Sequence, residues 1–578
     1  MAPVIDLNKV IDTLVVSRLI KYQREGGHSL EAYGEKFGVK KIGSGIEDFS
    51  VFTDELLQRC ISDTEINLRV YNYLKRWIYD PRFKSALRTE HELERLCSEL
   101  HDNGFPFDKA GAEALACSLR DRLGPIDSAI RHAFPPRARA IREVTPVLTQ
   151  KGTLSLKDFR FLGPEPDLSQ FNGGPFTRIE FEDFNPLSPK QVVTRLNEAG
   201  WKPTEKTKGH LEFLKTLRKN SKPQYEKSVI SKENLKDKDS LEKKLQNFAQ
   251  YGWKISEENL NTLPDSAPEG ARKLREKITL ESRLSDIKEW LSLYNETTGA
   301  IHGDFFSIGA WTQRMAHSSP NTANIPVPQH KDNETEFEKL INEINLAMRG
   351  LFHAMLGNIL VGVDADGIQM RIFAHYVNDE RLIKALISGK KEDGSDIHSV
   401  HQRALGSDIC RSRDAAKTFI YAWLLGAGIG KVSQILECSH SAAAQAVDNF
   451  LNFYPGLLEL KRSRIPEDAA RGYFTGLDGR LVACDNSHLM LAGYLQNGEK
   501  IIMARAANRW NKILKKEGIP FWFRNFVHDE HQTETIPEYK NFVASTMIES
   551  IVIQGEELNM NCPLAANAKF GLTWAETH

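Results

Sequence analysis

Residues 1–85 mix short apolar pieces with polar turns. Residues 11–19 (IDTLVVSRL) read as a short buried element, residues 28–34 open a helix, and residues 63–71 lie in a longer one. Leu87, Leu93, Leu96 and Leu100 then recur at helical steps, until Gly104-Phe105-Pro106-Phe107-Asp108 breaks the run and caps a new helix near Lys109. Residues 130–184 carry Pro135, Pro136, Pro146, Pro164, Pro166 and Gly173-Gly174-Pro175 with weak alternation, which predicts an irregular insertion with at most short strands. Helix resumes at Ser188, an N-cap residue placed before Pro189. Residues 202–254 hold 14 Lys and Arg against 7 Asp and Glu among helical apolar positions. That pattern suits a solvated helix face and the tracking of a phosphate backbone equally. A further helix is expected over residues 270–294.

Two stretches depart from the helical period and carry the candidate chemistry. Ile359-Leu360-Val361-Gly362-Val363 is a continuous apolar run, the mark of a buried strand, and it ends in Asp364 and Asp366. An Asp-rich turn with Gly367 as its left-handed residue accounts for the same stretch. Far downstream, residues 521–530 (FWFRNFVHDE) form a second β-rich segment ending in His528, Asp529 and Glu530. Two strands that each end in an acid can place Asp364 and Asp529 on a shared pair of hard cations, as two-metal phosphoryl transfer requires. Between them, Arg413, Lys417 and Tyr421 are spaced four apart and therefore share one helix face. Two cations and an aromatic on that face suit a nucleoside triphosphate; an ordinary wet face of an amphipathic helix has the same spacing.

A chain of 578 residues is too long for one core and implies two to four units. No apolar run approaches a membrane span, and the first residues lack a secretion-signal pattern. Seven cysteines without a CxxC pair argue against zinc and against a disulfide framework, so a cytoplasmic protein is expected. The net charge of −1 means that nucleic acid would be held by local basic patches, not by overall basicity.

Taken together, IHG (301–303), TQR (312–314), PNTANIP (320–326), VDADGIQMR (363–371), DIH (396–398), RDAAKTFIYAWLLGAG (413–428), GLDGR (476–480), YLQ (494–496) and VHDE (527–530) resemble, in order, the segments of the family A (polymerase I-like) DNA polymerases. The likeness is greatest to the replicative enzymes of short-tailed bacteriophages, and it covers nearly the whole chain. It implies an α+β right-hand fold, with an antiparallel palm, helical fingers and thumb, and a degenerate ribonuclease H-like exonuclease remnant. The expected layout is a remnant at 1–85, a thumb at 86–300 with its insertion at about 130–184, palm at 301–378, fingers at 379–475 and palm again at 476–578.

The resemblance also implies roles. Asp364 and Asp529, with the backbone carbonyl of Ala365, would bind two Mg2+ ions, for which Mn2+ would substitute. Lys417 would neutralise phosphate charge and protonate the leaving pyrophosphate, with Arg413 and His398 on the phosphates and Tyr421 on the deoxyribose. Arg314 and Gln496 would probe the minor groove near the primer end, while Glu530 and His528 would lie behind the metals near the primer terminus. The implied activity is template-directed addition of dNTPs to a primer 3′-hydroxyl on primer-template DNA, in phage replication within a bacterial host.

Some positions depart from the family pattern. Met1 falls just after the point where two acid-bearing exonuclease segments should end, which leaves Asp63 from that set, with Arg59 where an aromatic is expected. No proofreading by this chain alone is therefore expected, and the missing half points to a separate exonuclease subunit as a partner. The insertion at 130–184 lies where the phage enzymes capture a processivity factor. Gln369 replaces a glutamate and Leu425 an aromatic that together crowd a ribose 2′-hydroxyl, which points to relaxed sugar selection. Rival readings are a single-subunit RNA polymerase, a nuclease and a non-catalytic DNA-binding scaffold. The first shares the metal acids and the fingers lysine, the second needs the absent acids, and the intact Asp364/Asp529 pair argues against the third.

Overall fold

The computed structural model describes residues 10–42, 49–169, 171, 173–220, 234–264, 266–328 and 334–577. The chain divides into two compact units, one of Met1–Ala112 with Glu289–His578 and one of Glu113–Lys288.

The first 83 residues contribute helices Thr13–Ile20, Leu30–Phe37 and Asp54–Ile78 to the larger unit, with no strand among the described residues. The buried element expected at 11–19 is the first of these, capped by Asp12, whose carboxylate accepts from the N–H groups of Leu14 and Val15. The next helix, Lys84–Asn103, buries Leu93, Leu96 and Leu100 and stops at Gly104. Its Glu90 is fully buried and takes Arg480 Nη1 and Lys500 Nζ, each at 2.7 Å, while Arg480 also pairs with Asp478 at 2.8 Å. A buried carboxylate is tolerable only with partners of this kind. This cluster fastens residues 84–103 into the larger unit; residues 86–112 and 289–300, expected with the thumb, belong to that unit.

The centre of that unit is a four-stranded antiparallel sheet. Its strands are β1 (Ile359–Ala365), β2 (Phe521–Val527), β3 (Glu530–Thr535) and β4 (Ala566–Gly571), in the order β2-β3-β1-β4. β1 is covered on both faces, which is why it reads as a continuous apolar run rather than an alternating one. Gly362 in its middle has no room for a Cβ, which would press on the side chain of Gln532 and the carbonyl of Thr577. Gly367, at φ 56°, turns β1 into helix α1 (Ile368–Val377). Further helices are α2 (Ile397–Leu405), α3 (Arg413–Leu424) and the 30-residue α4 (Ser487–Lys516), which is buried along most of its length.

The smaller unit holds helices Pro189–Glu198, Lys208–Asn220 and Asn234–Tyr251, with a core of Val192, Val193, Leu196, Trp201, Leu260 and Leu263. The basic stretch expected over residues 202–254 lies here, but residues 221–233 of it fall outside the described residues. The insertion is more regular than its prolines suggest. Strands Arg137–Val144 and Phe176–Glu182 pair antiparallel, with a register shift between Ala140 and Arg142, and nearly every side chain on both is at least partly exposed.

Candidate active site

Sheet register brings the two strand-end acids together. Glu530 lies opposite Asp364 in the β3–β1 ladder, and Val527 pairs with Glu530 to close the β2–β3 hairpin. The two turn residues are His528, at φ 51°, and Asp529. One further bond extends the ladder, the Ala365 N–H donating to the Asp529 carbonyl at 3.0 Å. Asp364 is exposed and Asp529 half-buried. Burial first, and the neighbouring Glu499 second, push the Asp529 carboxyl up to about 6.

Asp366, the other acid of that stretch, is engaged elsewhere. Its carboxylate accepts from Arg371 Nη2 at 2.8 Å, and its carbonyl accepts from Arg371 Nε at 2.7 Å. Glu530 is buried, and its Oε1 accepts from the Trp574 indole and the Gln532 amide, each at 2.6 Å. Among the described residues no group of three or more His, Cys, Asp or Glu is arranged to hold a metal ion by itself. Two carboxylates and a backbone carbonyl are nevertheless a fitting partial oxygen set for Mg2+, which keeps several waters and takes its other ligands from substrate phosphates.

Helix α3 carries Arg413, Lys417 and Tyr421 on one face. Ser412 caps it by accepting from the Ala415 N–H at 3.1 Å. Arg413 is held from α2: its Nε and Nη2 lie 3.0 and 2.8 Å from Asp396 Oδ1. Asp396 also caps α2 through the His398 N–H and accepts from Ser399 Oγ at 2.5 Å. Burial pushes the Asp396 carboxyl up, but the bonds from Arg413, Ser399 and the His398 amide outweigh it and leave it at about 2.

Lys417 is exposed, and so are Tyr421 and Leu425. The Tyr421 ring lies 6.1 Å from that of His398. Burial, followed by the charges of Asp366 and Asp529, raises the Tyr421 pKa. His398 is lowered by burial and then by Arg413, with Lys417 adding to the effect. Burial and then Arg314 lower His528.

Glu499 was not anticipated from the sequence. It sits on α4, 1% exposed; its Oε1 lies 2.6 Å from Arg314 Nη2 as an ion pair, and its Oε2 accepts from Arg314 Nη2 and Gln369 Nε2, each at 2.7 Å. The position held by Gln369 in place of a carboxylate is therefore beside a carboxylate supplied by another helix. Gln496 lies one turn earlier on α4 and is half-buried. Three-residue spacing from Gln496 was the available signal for Glu499, as N-cap spacing before His398 was for Asp396.

Residues 215–576 match the family model described as DNA polymerase family A. The chain belongs to that family. It is 25% identical to the DNA-directed DNA polymerase of Escherichia phage T7 over 98% of this chain and 88% of the relative. The identity is also 25% to the DNA-directed DNA polymerase of Enterobacteria phage T3, with the same two coverages. In fold it is similar to the POL domain of Pol1 from M. smegmatis, solved in complex with DNA primer-template and dNTP. That likeness has a TM-score of 0.65 at 17% identity and covers 98% of this chain and 82% of that one. As in family A generally, the palm combines antiparallel strands with flanking helices. No described helix is long and apolar enough to cross a membrane.

Proposed function

We propose that Asp364, Asp529 and the carbonyl of Ala365 hold two Mg2+ ions for template-directed DNA synthesis, the activity of the family to which the chain belongs. The observation that carries this reading is the register that sets Asp364 on β1 beside the β2–β3 turn bearing Asp529. Bound there, such ions make the primer 3′-hydroxyl more acidic and neutralise charge on the triphosphate.

The protein's own groups would do the rest. Arg413, fixed by Asp396, and exposed Lys417 present positive charge on one face of α3 for the β- and γ-phosphates, with His398 adjacent. Lys417 gives its proton to the leaving pyrophosphate. Tyr421 offers a partly exposed ring for the deoxyribose. Arg314, on the palm side, supplies guanidinium donors to minor-groove acceptors, which all correct base pairs share, so pair geometry is tested without reading sequence. Glu530, tied to Trp574 and Gln532, supports the hairpin that carries Asp529.

Primer extension with Mg2+ tests the reading, with dNTPs and rNTPs supplied separately. Extension with dNTPs that stops when Mg2+ is chelated and resumes with Mn2+ is expected. Extension only with rNTPs would assign the site to RNA synthesis, and binding of primer-template without extension would make the chain a scaffold.

A further inference from the structure

Buried charge is costly unless it is paired and hydrogen-bonded, so a carboxylate as enclosed as Glu499 has its geometry set by its partners. Those partners come from two other elements of the larger unit: Arg314 from the segment after residue 312, and Gln369 from the first turn of α1. The segment bearing Arg314 is itself fixed. The Gly309 N–H donates to the Arg314 carbonyl at 2.8 Å, and Gln313, at φ 66°, bonds through its amide to the Leu19 carbonyl and to Arg480.

The identity of residue 369 follows from this arrangement. A glutamine can turn its N–H toward a carboxylate, and only that orientation of the amide makes a bond there. Its Oε1 must then face away from Glu499. A glutamate in the same place would set two carboxylates at hydrogen-bonding distance. Glu499 therefore decides both where the Arg314 guanidinium points and which way the Gln369 amide is turned.

We propose that Glu499 is a positioning residue that locks Arg314 and Gln369 into one unit, so that duplex contact near the primer end and substrate placement depend on a single buried charge. The proposal rests on the polymerase reading of the site given above, because Arg314 and Gln369 matter to catalysis only if DNA and dNTP bind there. It departs from a purely structural role in one respect. Removing the charge should disorganise two substrate-facing side chains together without unfolding the palm.

The test is a kinetic double-mutant cycle in the full chain, with single-nucleotide addition as the readout and thermal melting alongside. Glu499→Gln is expected to lower kcat/KM for dNTP by roughly 10- to 100-fold, mostly through KM, with melting close to that of the parent. Arg314→Ala should then cost far less in the Glu499→Gln background than in the parent. Additive losses, or a fall in kcat alone that tracks melting, would overturn the proposal. Should Glu499→Gln not fold, Arg314→Ala and Gln369→Ala keep the carboxylate and form a second cycle. Coupled losses in that cycle support the lock, and independent ones sink it. Asp364→Ala run in parallel separates the two levels: full activity there removes the metal-site assignment on which the reading of this site rests, whatever Glu499 does. Its loss there, with additive Glu499 effects, removes only this proposal.

Discussion

The backbone N–H of Ala365 donates to the carbonyl of Asp529 at 3.0 Å, across 164 residues of sequence. This single bond extends the β1–β3 ladder past its last strand pair and ties the chain just after Asp364 to the turn that carries the second acid. Acids set on or next to strand ends hold position better than acids on free loops, so the proposed metal site inherits the rigidity of the sheet.

Gln369→Glu is expected to damage the site. The new carboxylate would face Glu499, which now accepts the Gln369 amide at 2.7 Å. Like charges at that separation in a buried setting force one group to protonate or the pair to separate. Steady-state addition of dNTP should show kcat/KM lowered about tenfold or more, and this loss should not add to that of Glu499→Gln when the two are combined, because the like-charge pair is then gone. Unchanged kinetics in Gln369→Glu would show that Glu499 does not govern this position.

Acid stability should be set in part by three buried histidines. Burial lowers His317 to about 4, with His528 contributing, and His401 and His531 to about 3. A group whose folded pKa lies below its unfolded value of 6.5 gives stability that is complete above 6.5 and is lost as pH falls toward the folded value. Each such histidine adds a slope approaching about 1.4 kcal/mol per pH unit between pH 6 and 4. His401 packs on Phe450 and Tyr454, so His401→Phe should flatten the denaturant-unfolding profile over that range by about one such increment. An unchanged slope would mean that His401 is already protonated in the native state.

Much of this was legible in the sequence, for identifiable reasons. β1 is covered on both sides and so announced itself as an unbroken apolar run, and the four-residue spacing of α3 is a local property of one helix. Glu499 was hidden because α4 is buried nearly all round, with Asn497, Lys500, Asn508 and Asn511 also enclosed, so its polar residues do not mark a wet face. The attachment of residues 84–103 to the larger unit was equally invisible, since Glu90 meets its partners 390 and 410 residues later. The insertion strands hid for the opposite reason. Residues exposed on both sides show no alternation, and the pairing rests on the backbone ladder.

The paired strands of the insertion leave Ile179 and Phe181 exposed, with Val147, Leu148 and Leu187 exposed elsewhere in the same unit. The resemblance places a processivity partner at this segment, and we propose that a thioredoxin-like factor binds it. Deleting residues 145–180 should shorten the products made per binding event when that factor is present and spare single-nucleotide addition. Equal product lengths with and without the segment would make it a solvated loop.

Asp63, which the resemblance matches to an exonuclease acid, lies on helix Asp54–Ile78 and sits 3.9 Å from both Lys41 and Arg59. A single carboxylate facing two cations is poorly disposed toward a pair of metal ions. The pure chain is expected to leave a 3′-mismatched primer intact in Mg2+ or Mn2+ without dNTP. Progressive 3′ shortening would show that it proofreads unaided.

The most direct test of the two-metal reading is single-turnover dNTP addition by Asp364→Ala and Asp529→Ala beside the parent, with primer-template affinity measured on the same samples. Phosphate contacts by basic residues dominate DNA affinity, whereas in the proposed site the acids would act, through the metals, on the reacting atoms. Both variants should therefore bind primer-template within a few-fold of the parent and add nucleotide several orders of magnitude more slowly. Addition within tenfold of the parent rate by either variant would contradict the assignment.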